Sequence, residues 1–151
     1  MPYLDSSLLE QYRQQRLLSM QRHPQHPHLQ IWNYTAETQY SKAWDAVTTQ
    51  CRGLILDTQR ERVVANPFPK FYNWGDPMVG EIPLEEPIIT EKVDGSLGIL
   101  YWIDDDPHIA TRGSFTSEQA LWATKWFRQH VAYQSLPRHI TYLMEIVYSA
   151  N

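Results

Sequence analysis

The sequence of 151 residues is poor in cysteine and lysine, and it has no long apolar run. The single cysteine, Cys51, rules out an internal disulfide and fits a reducing compartment. The sequence shows no leader with an apolar core, and no apolar stretch approaches the roughly 20 residues that span a bilayer. We therefore expect a soluble, cytoplasmic protein with no membrane partner.

The sequence also lacks an excess of positive charge. Its formal charge of −4 and its pI near 5.8 argue against a dedicated nucleic-acid-binding module, which is usually basic. They leave room for an enzyme with a local basic cleft. The length suits one domain with its own core, and the six tryptophans suit a mixed core or surfaces on which bases stack.

Hydrophobic periodicity predicts an α+β protein in which antiparallel β-sheets are flanked by helices. We expect helices at residues 7–21 and 117–130, which begin with the capping-box pairs Ser7/Glu10 and Thr116/Gln119. A short helix at 40–48 would pack Trp44 inward. The predicted strands are residues 29–35, 51–57, 62–65, 97–103, 108–115 and 140–148.

Two polar clusters resemble metal sites but favour simpler interpretations. The histidines at positions 23, 26 and 28 are interrupted by prolines and have no cysteine or carboxylate beside them, which favours a loop. The three aspartates at 104–106 precede a proline at a predicted hairpin tip, which favours a solvated turn.

The most informative stretch is TEKVDGSLGI at residues 90–99. It follows the apolar pair Ile88-Ile89, so we predict Lys92 at the end of one strand and Asp94-Gly95 as the turn into the next. Lys92 is the one lysine in a strongly apolar context, and a lysine that is desolvated near other cations becomes a nucleophile. An ordinary hairpin with a surface lysine explains the same pattern more simply.

The surrounding motifs add a resemblance. Lys92-x-Asp94-Gly95, inside EKVDGSL, resembles the nucleotidyl-acceptor motif of the covalent nucleotidyltransferases. Further motifs of the bacteriophage-type, tRNA-repairing ATP-dependent RNA ligases follow in the same order along residues 29–151. These are Arg52 before an apolar strand, Lys70 and Tyr72 in PKFYN, Arg112-Gly113, and Glu145, which we expect to be buried and paired in an apolar strand. Tyr72 stands where that family has Phe, and Arg112 stands where some members have Lys.

The resemblance implies an ATP-dependent RNA ligase of nucleotidyltransferase fold. Lys92 would take AMP from ATP in the presence of Mg²⁺, with Asp94 positioning the lysine or the metal. The AMP would pass to an RNA 5′-phosphate, and a 3′-hydroxyl would then seal the strand, in tRNA among other RNAs. Arg52 and Lys70 would hold phosphates, while Arg112 and Glu145 would face the ribose, with Glu145 also on the metal. The nucleotide-binding set would be Arg52, Lys70, Tyr72, Glu91, Lys92, Gly95, Arg112 and Glu145.

The resemblance also implies parts that this sequence lacks. The family's domain continues for roughly another hundred residues, a domain-scale length, with a second glutamate strand and a Lys-x-Lys pair. No lysine follows Lys125 here. We therefore expect residues 1–151 to be a single, C-terminally incomplete adenylyltransferase domain, with an N-terminal helix and loop at 1–28. Its open sheet edge would permit oligomers. A non-catalytic module that binds nucleotide or RNA ends, or a partner subunit, is the alternative.

Overall fold

The computed structural model describes residues 5–147 and has an α+β architecture with two antiparallel sheets. The helices are α1 (Ser6–Gln14), α2 (Ala36–Ser41), α3 (Ala46–Gln50) and α4 (Glu118–His130), with a 3₁₀ turn at Tyr133–Ser135. The strands are β1 (Leu18–Arg22), β2 (Leu29–Tyr34), β3 (Arg52–Asp57), β4 (Arg62–Ala65), β5 (Ser96–Ile103), β6 (Asp106–Thr111) and β7 (Leu143–Ile146). None of the helices formed by residues 5–147 is long and apolar enough to cross a bilayer.

The strands form a four-stranded sheet with the order β1-β2-β3-β4 and a three-stranded sheet with the order β6-β5-β7. One buried cluster joins the two sheets, because Ile31 and Ile55 of the first pack with Ile99 and Tyr101 of the second. Helix α1 covers the other face of the first sheet, where Leu9 meets a second cluster. Helix α4 covers the second sheet through a third cluster. The fold therefore has two facing sheets with a helix outside each.

A β-bulge brings the two sheets close together at Gly53. The register between β2 and β3 passes from Trp32 opposite Leu54 to Asn33 opposite Arg52, so Gly53 is the extra residue. Its φ of 84° lies in the left-handed region, and a Cβ built there would come within 2.7 Å of Ile99 Cδ1. A glycine is needed here because both the backbone conformation and the space exclude a side chain.

The predicted helix at 7–21 is wrong in its second half. Helix α1 ends at Gln14, and its N-cap is Asp5, whose carboxylate accepts from the Ser7 amide, rather than Ser7 itself. Leu18 begins β1, whose alternating burial matches a strand that pairs with β2. Long-range pairing overrides helix propensity here. Residues 1–28 consequently contain a strand as well as a helix and a loop.

Smaller differences concern the ends of elements. The predicted helix at 40–48 is two helices, because Lys42 takes a left-handed φ of 55° after α2 and Asp45 starts α3 with a capping box. Trp44, between them, packs inward as predicted. The N-cap of α4 is Ser117 rather than Thr116.

The predicted hairpins 51–57/62–65 and 97–103/108–115 are confirmed as β3–β4 and β5–β6, and the second one turns at Asp104-Asp105. The strand predicted at 108–115 ends at Thr111, where Arg112 and Gly113 form a turn. The strand predicted at 140–148 is shorter at β7, and residue 148 lies outside the described residues.

Candidate functional site

Arg112 is held against the end of β2 by a reciprocal pair of hydrogen bonds. Asn33 Nδ2 donates to the Arg112 carbonyl oxygen at 2.8 Å, and Arg112 Nε donates to Asn33 Oδ1 at 3.2 Å. The guanidinium also lies 4.8 Å from the centroid of the Tyr34 ring, within the range of a cation–π contact. Because Asn33 lies opposite Arg52 in the sheet, the two predicted arginines are on the same edge of the fold.

The segment that contains Lys70 has no helix or strand, yet specific contacts order it. The Lys70 amide donates to the Thr49 carbonyl of α3 at 2.8 Å, and Lys70 Nζ donates to the Phe71 carbonyl at 2.6 Å. Nζ also lies 4.4 Å from the centroid of the Tyr72 ring. The Arg52 guanidinium lies 4.8 Å from the centroid of the Phe71 ring. Cation–π contacts therefore attach this loop to the sheet edge.

An aromatic cluster connects the two groups of cations. Tyr34 and Trp44 meet edge to face with their centroids 4.9 Å apart, and Trp44 and Tyr72 do so at 6.3 Å. Burial, followed by the nearby Asp76 carboxylate, raises the pKa of Tyr72. The structure thus brings four predicted site residues together: Arg52, Lys70, Tyr72 and Arg112.

Lys92, Asp94, Gly95 and Glu145 form a second group of predicted residues. Glu145 Oε1 accepts from the Gly95 amide at 3.0 Å, which attaches the end of the Lys92 loop to β7. A Cβ at Gly95 would collide with the Ile146 carbonyl oxygen, so close docking requires glycine. Lys92 Nζ lies 3.8 Å from Asp94 Oδ1. Both side chains are exposed, so this ion pair contributes little to stability.

Two local predictions about this loop are wrong. Residues 66–95 contain no helix or strand, and Ile88 and Ile89 are 93% and 89% exposed, so no strand precedes Lys92. Five prolines, at positions 67, 69, 77, 83 and 87, interrupt the segment, and each removes an amide that strand pairing needs. Asp94-Gly95 is consequently not a hairpin turn but the lead into β5.

Burial was also predicted wrongly for two charged residues. The Lys92 side chain is 87% exposed rather than desolvated, because no element covers the loop. Glu145 is exposed rather than buried, and its partner is a backbone amide rather than a charge. Glu91 is exposed as well.

The protein alone offers few ligands for a magnesium ion. Within residues 5–147, no three or more His, Cys, Asp or Glu side chains are grouped so as to hold a metal ion. Mg²⁺ commonly binds through one or two carboxylates together with substrate phosphates and water. The single carboxylate of Glu145 fits that arrangement as a partial ligand.

Sequence reasoning missed several residues of the site. Asn33, Tyr34 and Phe71 contact the predicted cations, and Trp44 was recognised as a packing residue only. Asn33 could have been singled out from the sequence, because asparagine is depleted in strands and here follows apolar residues of a predicted strand. No local signal pairs Asn33 with Arg112, which is 79 residues away.

Comparisons with known proteins agree with these motifs. A family model described as RNA ligase matches residues 50–151, which include Arg52, Lys70, Lys92, Arg112 and Glu145. A baculovirus protein, "Putative bifunctional polynucleotide kinase/RNA ligase" of Autographa californica nuclear polyhedrosis virus, is 30% identical over 95 residues. That match covers 56% of this chain and 14% of the viral protein, so the chain spans a small part of its relative. Since the family model covers about two thirds of the sequence, the chain belongs to the RNA ligase family and the resemblance to bacteriophage-type RNA ligases is confirmed.

Proposed function

We propose that this chain binds ATP and accepts AMP on Lys92 as the first step of RNA ligation. The observation that carries the proposal is a set of cations at one edge of the fold, each of which lies against an aromatic ring. Arg52, Lys70 and Arg112 each lie within 5 Å of the centroid of an aromatic ring at the same edge of the fold. Fixed cations suit a triphosphate, and aromatic faces suit a purine or its ribose.

In this proposal, Lys92 Nζ in its neutral form attacks the α-phosphorus of ATP. A bond from Nζ to phosphorus forms as Nζ gives up one proton to the solvent, the bond to the bridging oxygen breaks, and pyrophosphate leaves. Arg52 and Lys70 offset the charge of the departing phosphates, and Arg112 with Glu145 lies on the ribose side. Magnesium, bound with the ATP, would supply further charge compensation.

Transfer of AMP to the RNA uses the same α-phosphorus, whereas sealing takes place at the phosphorus of the RNA 5′-phosphate. The AMP passes from Lys92 to an RNA 5′-phosphate, and an RNA 3′-hydroxyl then displaces AMP to form the phosphodiester. Both facing sheets would belong to one adenylyltransferase domain of nucleotidyltransferase type, which we assign to residues 1–151. The substrate would be RNA with a 5′-phosphate and a 3′-hydroxyl end, tRNA among the candidates.

One observation favours a second candidate, a non-catalytic module that binds nucleotide or RNA ends. Lys92 is exposed and its nearest charged partner is the Asp94 carboxylate, so the loop supplies none of the desolvation that activates a lysine nucleophile. In the first proposal, ATP and its metal must therefore close the loop over the nucleotide and activate Lys92.

Transfer of label from α-labelled ATP, together with calorimetric titration of ATP, separates the two candidates. The ligase proposal predicts covalent label in the native chain and in Lys42→Ala, a matched change at another exposed lysine, but none in Lys92→Ala. Binding of ATP without label in any variant supports the non-catalytic module. Label that persists in Lys92→Ala excludes Lys92 as the acceptor.

A further inference from the structure

Helix α4 carries a ladder of near-parallel aromatic rings on its outer side. Trp122, Trp126 and His130 are spaced by four residues, and successive ring planes differ by 19° and 15°. The Trp126 and His130 centroids are 4.6 Å apart, and His130 Nδ1 hydrogen-bonds the Trp126 carbonyl at 2.8 Å. Trp126 is 46% exposed. These rings lie stacked on one another at the surface rather than buried in the core.

The core side of α4 is already occupied by other residues. Ala123 and Phe127 pack against the second sheet with Leu100 and Ile109. The ring of Trp126 is not among the side chains of that cluster. Packing of the described core therefore does not account for an exposed tryptophan stacked on a histidine.

A basic groove runs beside the ladder. It has a volume of about 470 Å³ and lies between α4 and the loop that joins β1 to β2. Lys125 and Arg128 line it from α4, and Tyr101 and Phe115 supply apolar surface. No aspartate or glutamate is among its described lining residues. The groove is therefore positive although the whole chain carries a formal charge of −4.

Hydrogen bonds and burial determine which residues of the groove are charged. Arg128 Nε donates to the Pro107 carbonyl at 2.9 Å, and its Nη2 lies 2.9 Å from His108 Nε2, which must accept because arginine only donates. Burial, then the Arg128 charge, lowers the pKa of His108 to about 4. Burial also lowers the pKa of His23 on the opposite wall. At pH 7 the positive charge thus comes from Lys125 and Arg128.

The ladder and the groove are adjacent on α4. At 100° per residue, Lys125 lies about 60° around the helix from Arg128 on the groove side, and about 60° from Trp122 and about 100° from Trp126 on the other side. Lys125 therefore separates the groove from the aromatic rings. Residues 119–130 of α4 contain no carboxylate.

We propose that single-stranded RNA binds around the outer side of α4, with a base on the Trp126–His130 stack, one phosphate at Lys125 and a further phosphate at Arg128 in the groove. The proposal rests on the RNA substrate of the proposed function and adds a strand-binding surface outside the Lys92 loop. Aromatic faces beside a positive groove are the combination that single-strand binders use. A second copy of this chain is a less suitable partner for this surface, because a symmetric contact would bring two sets of these cations together and they would repel each other.

The test is fluorescence anisotropy with a short labelled RNA that carries hydroxyl groups at both ends, in the absence of ATP. Under these conditions no ligation chemistry can occur, so the result is independent of AMP transfer to Lys92. We expect Trp126→Leu to weaken binding by roughly 5- to 150-fold, the range for loss of one base stack. Tyr40→Leu, at an aromatic residue that is 84% exposed on α2, should leave the affinity unchanged.

Salt dependence tests the phosphate contacts separately. Lys125→Gln should reduce the slope of log K against log salt by about 0.7, the value for one phosphate contact on a single strand. Lys42→Gln, at another exposed lysine, should not change it. Equal affinities for Trp126→Leu and Tyr40→Leu would overturn the proposal, as would absence of RNA binding in a chain that still labels Lys92. A dimer that dissociates in Trp126→Leu, with RNA affinity unchanged, would also overturn it and would assign the face to self-association.

Discussion

Gly53→Ala should destabilise the fold at the point where the two sheets approach each other. Gly53 has a φ of 84°, and a non-glycine residue in left-handed backbone costs about 1–2 kcal/mol. The added methyl would lie 2.7 Å from Ile99 Cδ1, and Ile99 is fully buried, so it cannot turn away freely. Overpacking of this kind costs roughly 1–3 kcal/mol. The lower parts of the two ranges give a loss of about 2–3 kcal/mol, because only one terminal methyl group must move.

The effect can be measured by thermal and urea unfolding. For a chain of this size, a loss of 2–3 kcal/mol lowers Tm by roughly 5–10 °C. Gly113→Ala is the matched control, because its φ is not in the left-handed region and a Cβ there meets no atom within 4 Å. That control should change stability by less than about 0.5 kcal/mol. If Gly53→Ala were as stable as Gly113→Ala, the bulge would not be a constrained contact between the sheets.

Two further changes test the site and the fold. Asn33→Ala removes both hydrogen bonds that orient Arg112. Because this loss costs roughly 1–2 kcal/mol, we expect calorimetry to show that ATP binds about tenfold more weakly. An unchanged affinity for ATP would show that the position of Arg112 does not depend on Asn33. Asp57 is buried, which would raise its pKa, but hydrogen bonds from Arg60 and the Gln59 amide outweigh burial and lower it. The pKa of Asp57 is lower in the folded state than in the unfolded state, so its carboxylate stabilises the fold at pH values above the unfolded-state pKa near 4. This stabilisation is lost as the pH falls through the folded-state pKa. Asp57→Asn should therefore lower the free energy of unfolding by about 1–3 kcal/mol at pH 7 and make stability fall less in acid. Urea unfolding at several pH values measures both effects. If the variant lost as much stability in acid as the native chain, this role of Asp57 would be contradicted.

The sequence predicted best where strands pair with their neighbours along the chain. The hairpins 52–57/62–65 and 96–103/106–111 are separated by short polar turns, so period-two patterns and turn residues suffice. Leu17, Leu18 and Met20 fit a helix continuing from α1 equally well. Only the pairing of Leu18 with Tyr34 makes this segment a strand. A pattern within one segment cannot reveal that partner.

The candidate site was predicted as a list of residues rather than as a geometry. Motif order singled out Arg52, Lys70 and Arg112, and the structure brings them together through contacts that sequence reasoning missed. Asn33 and Arg112 meet across 79 residues because the two sheets face each other. The apolar run before Lys92 suggested burial, but the prolines in the loop prevent strand pairing and leave it exposed. The roles of these residues stay predictions.

The intact mass of the protein after incubation with ATP and Mg²⁺ tests the central claim most directly. A lysyl-AMP adds about 329 Da, the formula mass of AMP less water, and peptide mapping locates it. We predict this gain in the native chain, on the peptide that contains Lys92, and no gain in Lys92→Ala. An unchanged mass in the native chain, with ATP binding still detectable, would contradict the claim that this chain forms the covalent intermediate.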